Sequence, residues 1–449
     1  RGSMVLVVLF VCVQLVIGSV ITWKGQVDSK DAAVANTKSF NTFLVGLHPG
    51  DTLVIPNGTF WMAGGIYCTD LHSVTLQLDG TFHFLPGRTT WPVQSHELCN
   101  RIPLQPKTNK SCVQEAFLIA NSTNLTFTSS GLGILDGSGK SWWGYIQYLL
   151  HGENRPRLFT LINATDVLVE RWRFQQSAYW TFTAWDVKNL EIRDCHIDNR
   201  ENADDSHGLT NLDAFNTDGF DVAGRNIYIH DCSVWNQDDC FTIQPIDKSG
   251  YNAQCTENVL VENVNASGLG LTVGAIHPTR RHNCIRNVTF RHAKMHHTFK
   301  GIYVKSGNSF DPAESGEISD LLFEDIEMET PEQVPIWIGP AQEADSKGAC
   351  SLFWPELPGS KCPPPPTNLK WTNITLKDIV IRSPAQSPGL IYGNAATPMR
   401  GVVFSNVTVT PVDPTKHPWK DKFYYCDGVV EAVATQGTSP APPCFNLQH

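Results

Sequence analysis

Three aspartates in two short motifs are the residues of this 449-residue chain best suited to chemistry. Asp218 lies in the motif Asn-Thr-Asp-Gly-Phe-Asp, and Asp238 and Asp239 are adjacent in Asn-Gln-Asp-Asp-Cys, 20 residues further on. If the fold brings them together, mutual repulsion raises the pKa of at least one, so that an acid and a carboxylate coexist near neutral pH. Two carboxyl groups that flank a sugar linkage are the minimal apparatus for glycoside hydrolysis. A solvated acidic turn and a calcium site are the alternatives.

The elements that must position these aspartates are repeats of alternating apolar and polar residues. They begin at Val167, Leu190, Ile227, Val259, Val288, Leu321, Ile374 and Val402. Their irregular spacing, within 20 to 50 residues for most, is typical of a solenoid. Alternation with period two indicates strands, and one coil cannot bury its apolar face alone, so the coils must stack around a shared core. We therefore expect an all-β solenoid with the two acidic motifs on neighbouring coils. Asp221 is expected to be structural.

Asparagine precedes many of these apolar runs, as at Asn189, Asn226, Asn258 and Asn287. This residue tolerates left-handed backbone, which suits the tight bends between strands.

The ends of the chain and one internal segment differ from the repeats. Residues 1–20 are predicted to be upstream residues and a secretory signal peptide, because Met4 to Val20 carries no charge and closes with small residues. Residues 21–449 are predicted to form one domain. Residues 343–367 contain too much proline for a core strand and are predicted to form a long loop inserted between coils. Since no other apolar run could span a bilayer, we expect a secreted, extracellular protein without membrane association once the signal is removed.

Charge and cysteine content agree with export. The formal net charge of −10 does not favour nucleic acid as a partner. Of 13 cysteines, one lies in the predicted signal, and the remaining twelve suggest disulfides. Short-loop disulfides are predicted between cysteines close in sequence: Cys99 and Cys112, Cys240 and Cys255, Cys350 and Cys362, and Cys426 and Cys444. We predict a Cys240–Cys255 disulfide that fixes the bend presenting Asp238 and Asp239.

No Cys-x-x-Cys spacing occurs, so neither a metal nor a cofactor is predicted. Nine Asn-x-Ser/Thr sequons fit a glycoprotein.

The two acidic motifs and the β-coil texture around them resemble the polygalacturonases of glycoside hydrolase family 28, from about Ile21 to Phe445. The resemblance implies a right-handed single-stranded parallel β-helix and hydrolysis with inversion in one displacement. It makes Asp238 the general acid, while Asp218 and Asp239 hold and deprotonate the attacking water. Inverting enzymes separate acid and base by about 6.5 to 9.5 Å, which we expect here.

Two other family motifs are altered in this chain. Leu269 stands where the family has a histidine, and Tyr303 stands where it has an arginine, whereas Lys305 is retained. The resemblance assigns these three positions to the substrate site, and Lys300 could replace lost charge. Tyr303 offers an aromatic face that suits a neutral sugar such as rhamnose.

The resulting expectation is a monomeric glycosidase that cleaves α-1,4-galacturonosyl-type linkages of a pectic polysaccharide. The alternatives are a rhamnogalacturonan or modified-pectin hydrolase, a calcium-dependent pectate lyase, and a non-catalytic cell-wall-binding solenoid.

Overall fold

The structure is a computed structural model that describes residues 18–87, 91–94, 112–144, 155–200, 213–246, 255–309, 311–343, 350–411, 419, 423–435 and 437–448. The first half comprises β1 (Val20–Thr22), α1 (Ala33–Val45), β2 (Thr52–Ile55), β3 (Thr59–Met62), β4 (Ile66–Thr69), β5 (His72–Leu78), β6 (Thr81–Phe84), β7 (Val93–Gln94), β8 (Cys112–Val113), β9 (Phe117–Thr128), β10 (Gly133–Asp136), β11 (Phe159–Glu170), β12 (Trp172–Gln175), β13 (Phe182–Arg193), β14 (His196–Asp198), β15 (Phe220–His230) and β16 (Ser233–Trp235). The second half comprises β17 (Phe241–Ile243), β18 (Cys255–Ala266), β19 (Leu271–Ile276), β20 (Asn283–His296), β21 (Ile302–Ser306), β22 (Gly316–Glu329), β23 (Ile336–Pro340), β24 (Gln342–Glu343), β25 (Cys350–Ser351), β26 (Leu369–Arg382), β27 (Gly389–Tyr392), β28 (Met399–Thr410), β29 (Tyr424–Asp427), β30 (Val429–Val430), β31 (Val433–Thr435) and β32 (Asn446–Gln448). Short 3-10 helices occupy Lys30–Ala32 and Gly139–Ser141.

The strands stack as coils of a parallel β-helix, which confirms the predicted fold. Within the described residues, twenty-eight strands join one sheet, and each long strand pairs in parallel with those of the coils before and after it. One face of the helix is formed by strands that follow one another in register, β15, β17, β19, β21 and β23. The two acidic motifs lie on this face. Because parallel strands lie about 4.8 Å apart, residues in equivalent positions of successive coils are direct neighbours.

A phenylalanine ladder fills the interior beneath this face. Phe159, Phe182, Phe220 and Phe241 occupy equivalent positions on four coils, with successive ring centroids 5.3, 5.5 and 5.6 Å apart. All four are fully buried. Aromatic burial of this kind stabilises the core and fixes the register of the strands that carry the acidic motifs.

The bends between strands use asparagine as predicted. Asn189, Asn226, Asn258 and Asn287 have φ between 52° and 59°, in the left-handed region. The amide of each of the last three donates to the side-chain oxygen of the asparagine one coil before, at 2.8 to 3.1 Å. The bends are therefore tied to one another from coil to coil.

Helix α1 covers one end of the coil stack and has no counterpart in the sequence prediction. Its side chains Phe40 and Leu44 are fully buried, and the Phe40 ring lies 5.4 Å from Trp23 and 5.0 Å from Phe82. Two polar residues, Asn36 and Thr37, are buried on the same face, so the apolar stripe is weak in the sequence. A cap of this kind shields the apolar end of a solenoid from water.

The predicted signal peptide lies mostly outside the described residues, and its boundary at residue 20 falls on the first residue of β1. Among the residues that the structure describes, no helix is both long and apolar enough to cross a bilayer. Of the Pro-rich loop, residues 352–367 form turns and extended chain between β25 and β26.

The predicted Cys240–Cys255 disulfide is wrong. Cys255 is bonded to Cys284, its register partner on the neighbouring coil, whereas Cys240 is a fully buried free thiol that donates to the side-chain oxygen of Asn236 at 3.0 Å. Register across coils, rather than closeness in sequence, decides this pairing. The Cys350–Cys362 and Cys426–Cys444 disulfides are present as predicted, and the side chains of Cys99 and Cys112 lie outside the described residues.

Peptide mapping after alkylation of the denatured, unreduced protein should recover a Cys255–Cys284 linked peptide and an alkylated Cys240. Cys68, a second buried free thiol, is the matched control and should be alkylated equally. A peptide that links Cys240 to Cys255 would contradict the register argument.

Candidate active site

Strand register brings the two acidic motifs together. Phe220 of β15 pairs with Phe241 of β17, and Asp218 and Asp239 each lie two residues before these partners. The intervening backbone is also joined, since Gly219 N–H donates to the Asp239 carbonyl at 2.8 Å. Asp218 and Asp239 are therefore neighbours on adjacent coils, as the sequence predicted.

The same row continues past the aspartates. Leu271 of β19 pairs with Phe241, and Ile302 of β21 pairs with Leu271. The residues two positions earlier are Leu269 and Lys300. We call Asp218, Asp239, Leu269 and Lys300 the cleft row, because they occupy equivalent positions on four successive coils.

A tight bend presents Asp238 beside this row. Leu269 N–H donates to the Asp238 carbonyl at 2.8 Å, and Gly268, at φ +45°, packs so closely that a Cβ atom would lie 2.1 Å from that carbonyl oxygen. The bend is held from inside by Asn236, whose amide donates to the Asp239 carbonyl at 2.8 Å. Glycine and asparagine, rather than a disulfide, therefore fix the presentation of the paired aspartates.

Asp239 is held at both carboxylate oxygens. Lys305 Nζ donates to Oδ2 at 2.5 Å, and Thr272 Oγ1 donates to Oδ1 at 2.7 Å. The Asp239 side chain is 2% exposed and that of Lys305 14%, so the ion pair is largely removed from water. Burial alone would lower the pKa of Lys305, but the Asp239 carboxylate more than offsets this and raises it. Asp239 is therefore a carboxylate fixed in a buried ion pair.

Asp238 and Asp218 hold their protons more tightly than ordinary aspartates. Burial and the neighbouring Asp239 charge raise the pKa of Asp238 to about 6, although Lys305 and two backbone N–H donors, those of Asn216 and Asp239, oppose the shift. Burial, followed by the charge of Asp238, raises the pKa of Asp218 well above its usual range. The site thus combines a fixed anion with groups that carry a proton at mildly acidic pH.

Asp221 lies behind the site, in line with its predicted structural role. It is fully buried, and Gln244 Nε2 donates to its Oδ1 at 2.9 Å. Burial raises the pKa of Asp221 to about 8.

The three aspartates are closer than expected. One oxygen from each of Asp218, Asp238 and Asp239 lies within 4.8 Å of the others, so the expected separation of about 6.5 to 9.5 Å is wrong. Three oxygens at this spacing are also suited to a hard cation such as calcium. Lys305 already supplies positive charge at Asp239, which lowers the need for a cation there.

A cleft of about 340 Å³ opens over the paired aspartates. It is lined by Phe215, Asn216, Gln237, Asp238, Leu269, Phe299, Lys300, Tyr303, Lys305, Gln333, Gln342, Glu343, Leu352 and Phe353. Asp238 is the aspartate that reaches the cleft lining, as a proton donor to a bound ligand must. A larger groove of about 630 Å³ runs beside α1, but its lining has no paired carboxylates, so we assign the chemistry to the smaller cleft.

Tyr303 lines the cleft but differs from its expected role. It is only 2% exposed, and its ring centroid lies 4.6 Å from Lys305 Nζ and 4.8 Å from Lys300 Nζ. Its hydroxyl accepts the backbone N–H of Gln342 at 2.9 Å. The ring therefore supports two lysines through cation–π contacts and leaves little free face for a sugar.

Three contributors to the site were missed from the sequence. Thr272, which holds Asp239, follows Leu271 on the outward face of β19, so correct strand register would have found it. Gln333, which precedes β23, and Gln342, on β24, accept hydrogen bonds from Lys300, and no sequence pattern distinguishes them from other surface amides.

The family model described as "Glycosyl hydrolases family 28" matches residues 53–422, more than half of the chain. The protein belongs to glycosyl hydrolases family 28. The matched residues contain all of the cleft row, together with Asp238 and Lys305.

Several curated proteins resemble this family 28 chain at low identity. "Probable endopolygalacturonase C" of Aspergillus aculeatus is 26% identical over 275 residues, which cover 61% of this chain and 59% of that protein. "Alpha-L-rhamnosidase rgxB" of Aspergillus niger is 24% identical over 227 residues, which cover 51% of this chain and 47% of that protein. The chain spans about half the length of the curated relatives it matches.

Solved structures support the fold of this family 28 member. The exopolygalacturonase of Yersinia enterocolitica superposes with a TM-score of 0.67 at 15% identity, over 96% of this chain and 77% of that one. The endo-xylogalacturonan hydrolase of Aspergillus tubingensis superposes with a TM-score of 0.61 at 17% identity, over 96% of this chain and 98% of that one.

Proposed function

We propose that this protein is a secreted glycosidase that hydrolyses α-1,4-galacturonosyl-type linkages in pectic polysaccharides. The observation that carries the proposal is the pairing of Asp238, a cleft-lining acid with a pKa of about 6, with the fixed carboxylate of Asp239. Hydrolysis of an acetal requires one group that is protonated and can act as an acid, and a second that is ionised and can act as a base. Disulfides among the described residues suit an extracellular enzyme.

The proposed reaction is a single displacement. Asp238 gives its proton to the leaving glycosidic oxygen, while Asp218 and Asp239 hold a water molecule and the Asp239 carboxylate accepts its proton as it attacks the anomeric carbon. Lys305 and Thr272 engage both oxygens of Asp239, which lowers its nucleophilicity toward carbon but leaves a lone pair on each oxygen that can accept a proton from water. We therefore keep inversion as the proposal despite the short distances between the carboxylates.

Product analysis tests the proposed function directly. Incubation with defined oligogalacturonides should give new reducing ends without an unsaturated product, and proton NMR of the first products should detect the inverted anomer. An ultraviolet-absorbing product formed only with calcium would instead identify a lyase, and a retained anomer would contradict the single displacement. Binding without any cleavage would identify a wall-binding solenoid.

A rhamnogalacturonan or modified-pectin hydrolase is the second candidate. It is favoured by the apolar side chains Leu269, Leu352 and Phe353 in the cleft lining, and by the engagement of Lys305 with Asp239, which withholds that cation from a substrate carboxylate. Turnover numbers measured side by side on polygalacturonate and on rhamnogalacturonan oligosaccharides decide between the two. We expect a monomer that acts on one polysaccharide chain at a time.

A further inference from the structure

Lys300 is a buried cation that faces the cleft without an anionic partner in the described structure. It is 3% exposed, and its Nζ donates to Gln333 Oε1 at 2.7 Å and to Gln342 Oε1 at 2.8 Å. Both acceptors are neutral amides, and the ring centroids of Tyr303 and Trp337 lie 4.8 and 5.0 Å from Nζ. Burying an ammonium group is costly unless a counter-charge compensates it.

The position of Lys300 ties this cation to the reaction. It stands two coils from Asp239 in the cleft row, which places its backbone about 10 Å along the helix axis from that aspartate. A ligand that reaches Asp238 with its scissile bond would extend past Leu269 toward Lys300. The Gln342 amide is itself held, since its Nε2 donates to the Trp354 carbonyl at 2.6 Å, in the loop that follows β25.

We propose that Lys300, held by Gln333 and Gln342, is a receptor for a sugar carboxylate. The proposal rests on the proposed function, of which it specifies the ligand: a galacturonate unit beside the cleaved bond. It assigns the anionic-substrate role to Lys300 rather than to Lys305, whose charge Asp239 already occupies.

The charges around Lys300 add a prediction, namely that binding of this carboxylate above neutral pH is accompanied by proton uptake. Burial, and then the like charge of Lys305, lowers the pKa of Lys300 to about 7, and Asp239 and Asp238 offset only part of this. Glu343, on β24, also lines the cleft, and Tyr303 contributes its ring and its hydroxyl. A bound carboxylate favours the protonated amine and so raises this pKa. Affinity should therefore fall as the pH rises above about 7.

Calorimetric titration of trigalacturonate tests the proposal, with every variant made in an Asp238→Asn background to suppress hydrolysis. Titration at pH 8 in buffers of low and high ionisation enthalpy should reveal uptake of up to about one proton per site. Lys300→Arg, which stays charged, should bind without that uptake. The other acidic groups of the cleft are the same in both proteins. The difference between their proton uptakes is therefore the contribution of Lys300.

Lys300→Met should weaken trigalacturonate binding about 10- to 100-fold at pH 6, the loss expected for one charge-assisted hydrogen bond. Lys294→Met, at an exposed position of the neighbouring β20, is the matched control and should bind like the parent. Equal binding by Lys300→Met and the parent would overturn the proposal. Proton uptake that persists in Lys300→Arg would overturn the prediction that Lys300 takes up the proton.

The outcome also separates this proposal from the proposed function. If the protein hydrolyses only neutral oligosaccharides and does not bind trigalacturonate, the carboxylate receptor is wrong and the glycosidase stands. If trigalacturonate binds in a Lys300-dependent way but no protein with intact aspartates cleaves any glycan, the receptor stands and the hydrolase is wrong.

Discussion

Asp238→Asn should lower turnover on the best pectic substrate by about 10²- to 10⁴-fold, because it removes the proton that the leaving oxygen needs. Substrate affinity should change much less, since the amide keeps the size of the acid. Both Asp238 oxygens accept a backbone N–H, from Asn216 and from Asp239, so the amide keeps one of these hydrogen bonds and loses the other in either orientation. Turnover number and Michaelis constant, measured separately, distinguish the two effects.

The pH dependence of the unmodified enzyme is a second test of the role of Asp238 as the general acid. A general acid acts only when protonated, so activity should fall as the pH rises through the Asp238 pKa of about 6. Asp28→Asn, in an exposed turn near the N-terminal end, is the control and should leave both turnover and pH profile unchanged. Near-normal turnover of Asp238→Asn, with an unfolding temperature like the parent's, would refute the general-acid assignment.

The fold was predictable because the coils repeat. Alternation such as that beginning at Val259 and Val288 marks strands, and stacking is the only way to bury their apolar faces. The helix α1 was missed because Asn36 and Thr37 stand on its buried face, where an amphipathic pattern needs apolar residues.

The three aspartates of the site could be predicted from the sequence because they lie in two short motifs. Asp218 and Asp238–Asp239 come together because their coils are adjacent, which the 20-residue gap suggested. Side chains such as Thr272 and Gln342 reach the site only through exact strand register, and the number of residues between coils varies too irregularly for the sequence to supply that register. The Cys240–Cys255 error has the same origin, because the partner of Cys255 was the residue across from it on the next coil.

Lys305→Met should inactivate the enzyme and destabilise it by about 3 to 5 kcal/mol, the usual cost of removing one partner of a buried ion pair. The reason is that Asp239, at 2% exposure, would keep its charge beside Asp238 with only Thr272 to compensate it. Urea unfolding at pH 7 measures the stability, and the turnover number measures the loss of the fixed base. Lys377→Met breaks an exposed pair with Glu324 and should cost no more than about 1 kcal/mol.

A double substitution separates the structural and chemical parts of this effect. Asp239→Asn added to Lys305→Met removes the stranded charge, while Thr272 Oγ1 can still donate to the amide oxygen. The double variant should therefore recover much of the stability lost by Lys305→Met, a positive coupling between contacting residues. It should not recover turnover, because the anion that orients and deprotonates the water is gone. If Lys305→Met is as stable as Lys377→Met, or the double variant is the less stable of the two Lys305 variants, then Lys305 does not serve mainly to hold Asp239 as a buried anion.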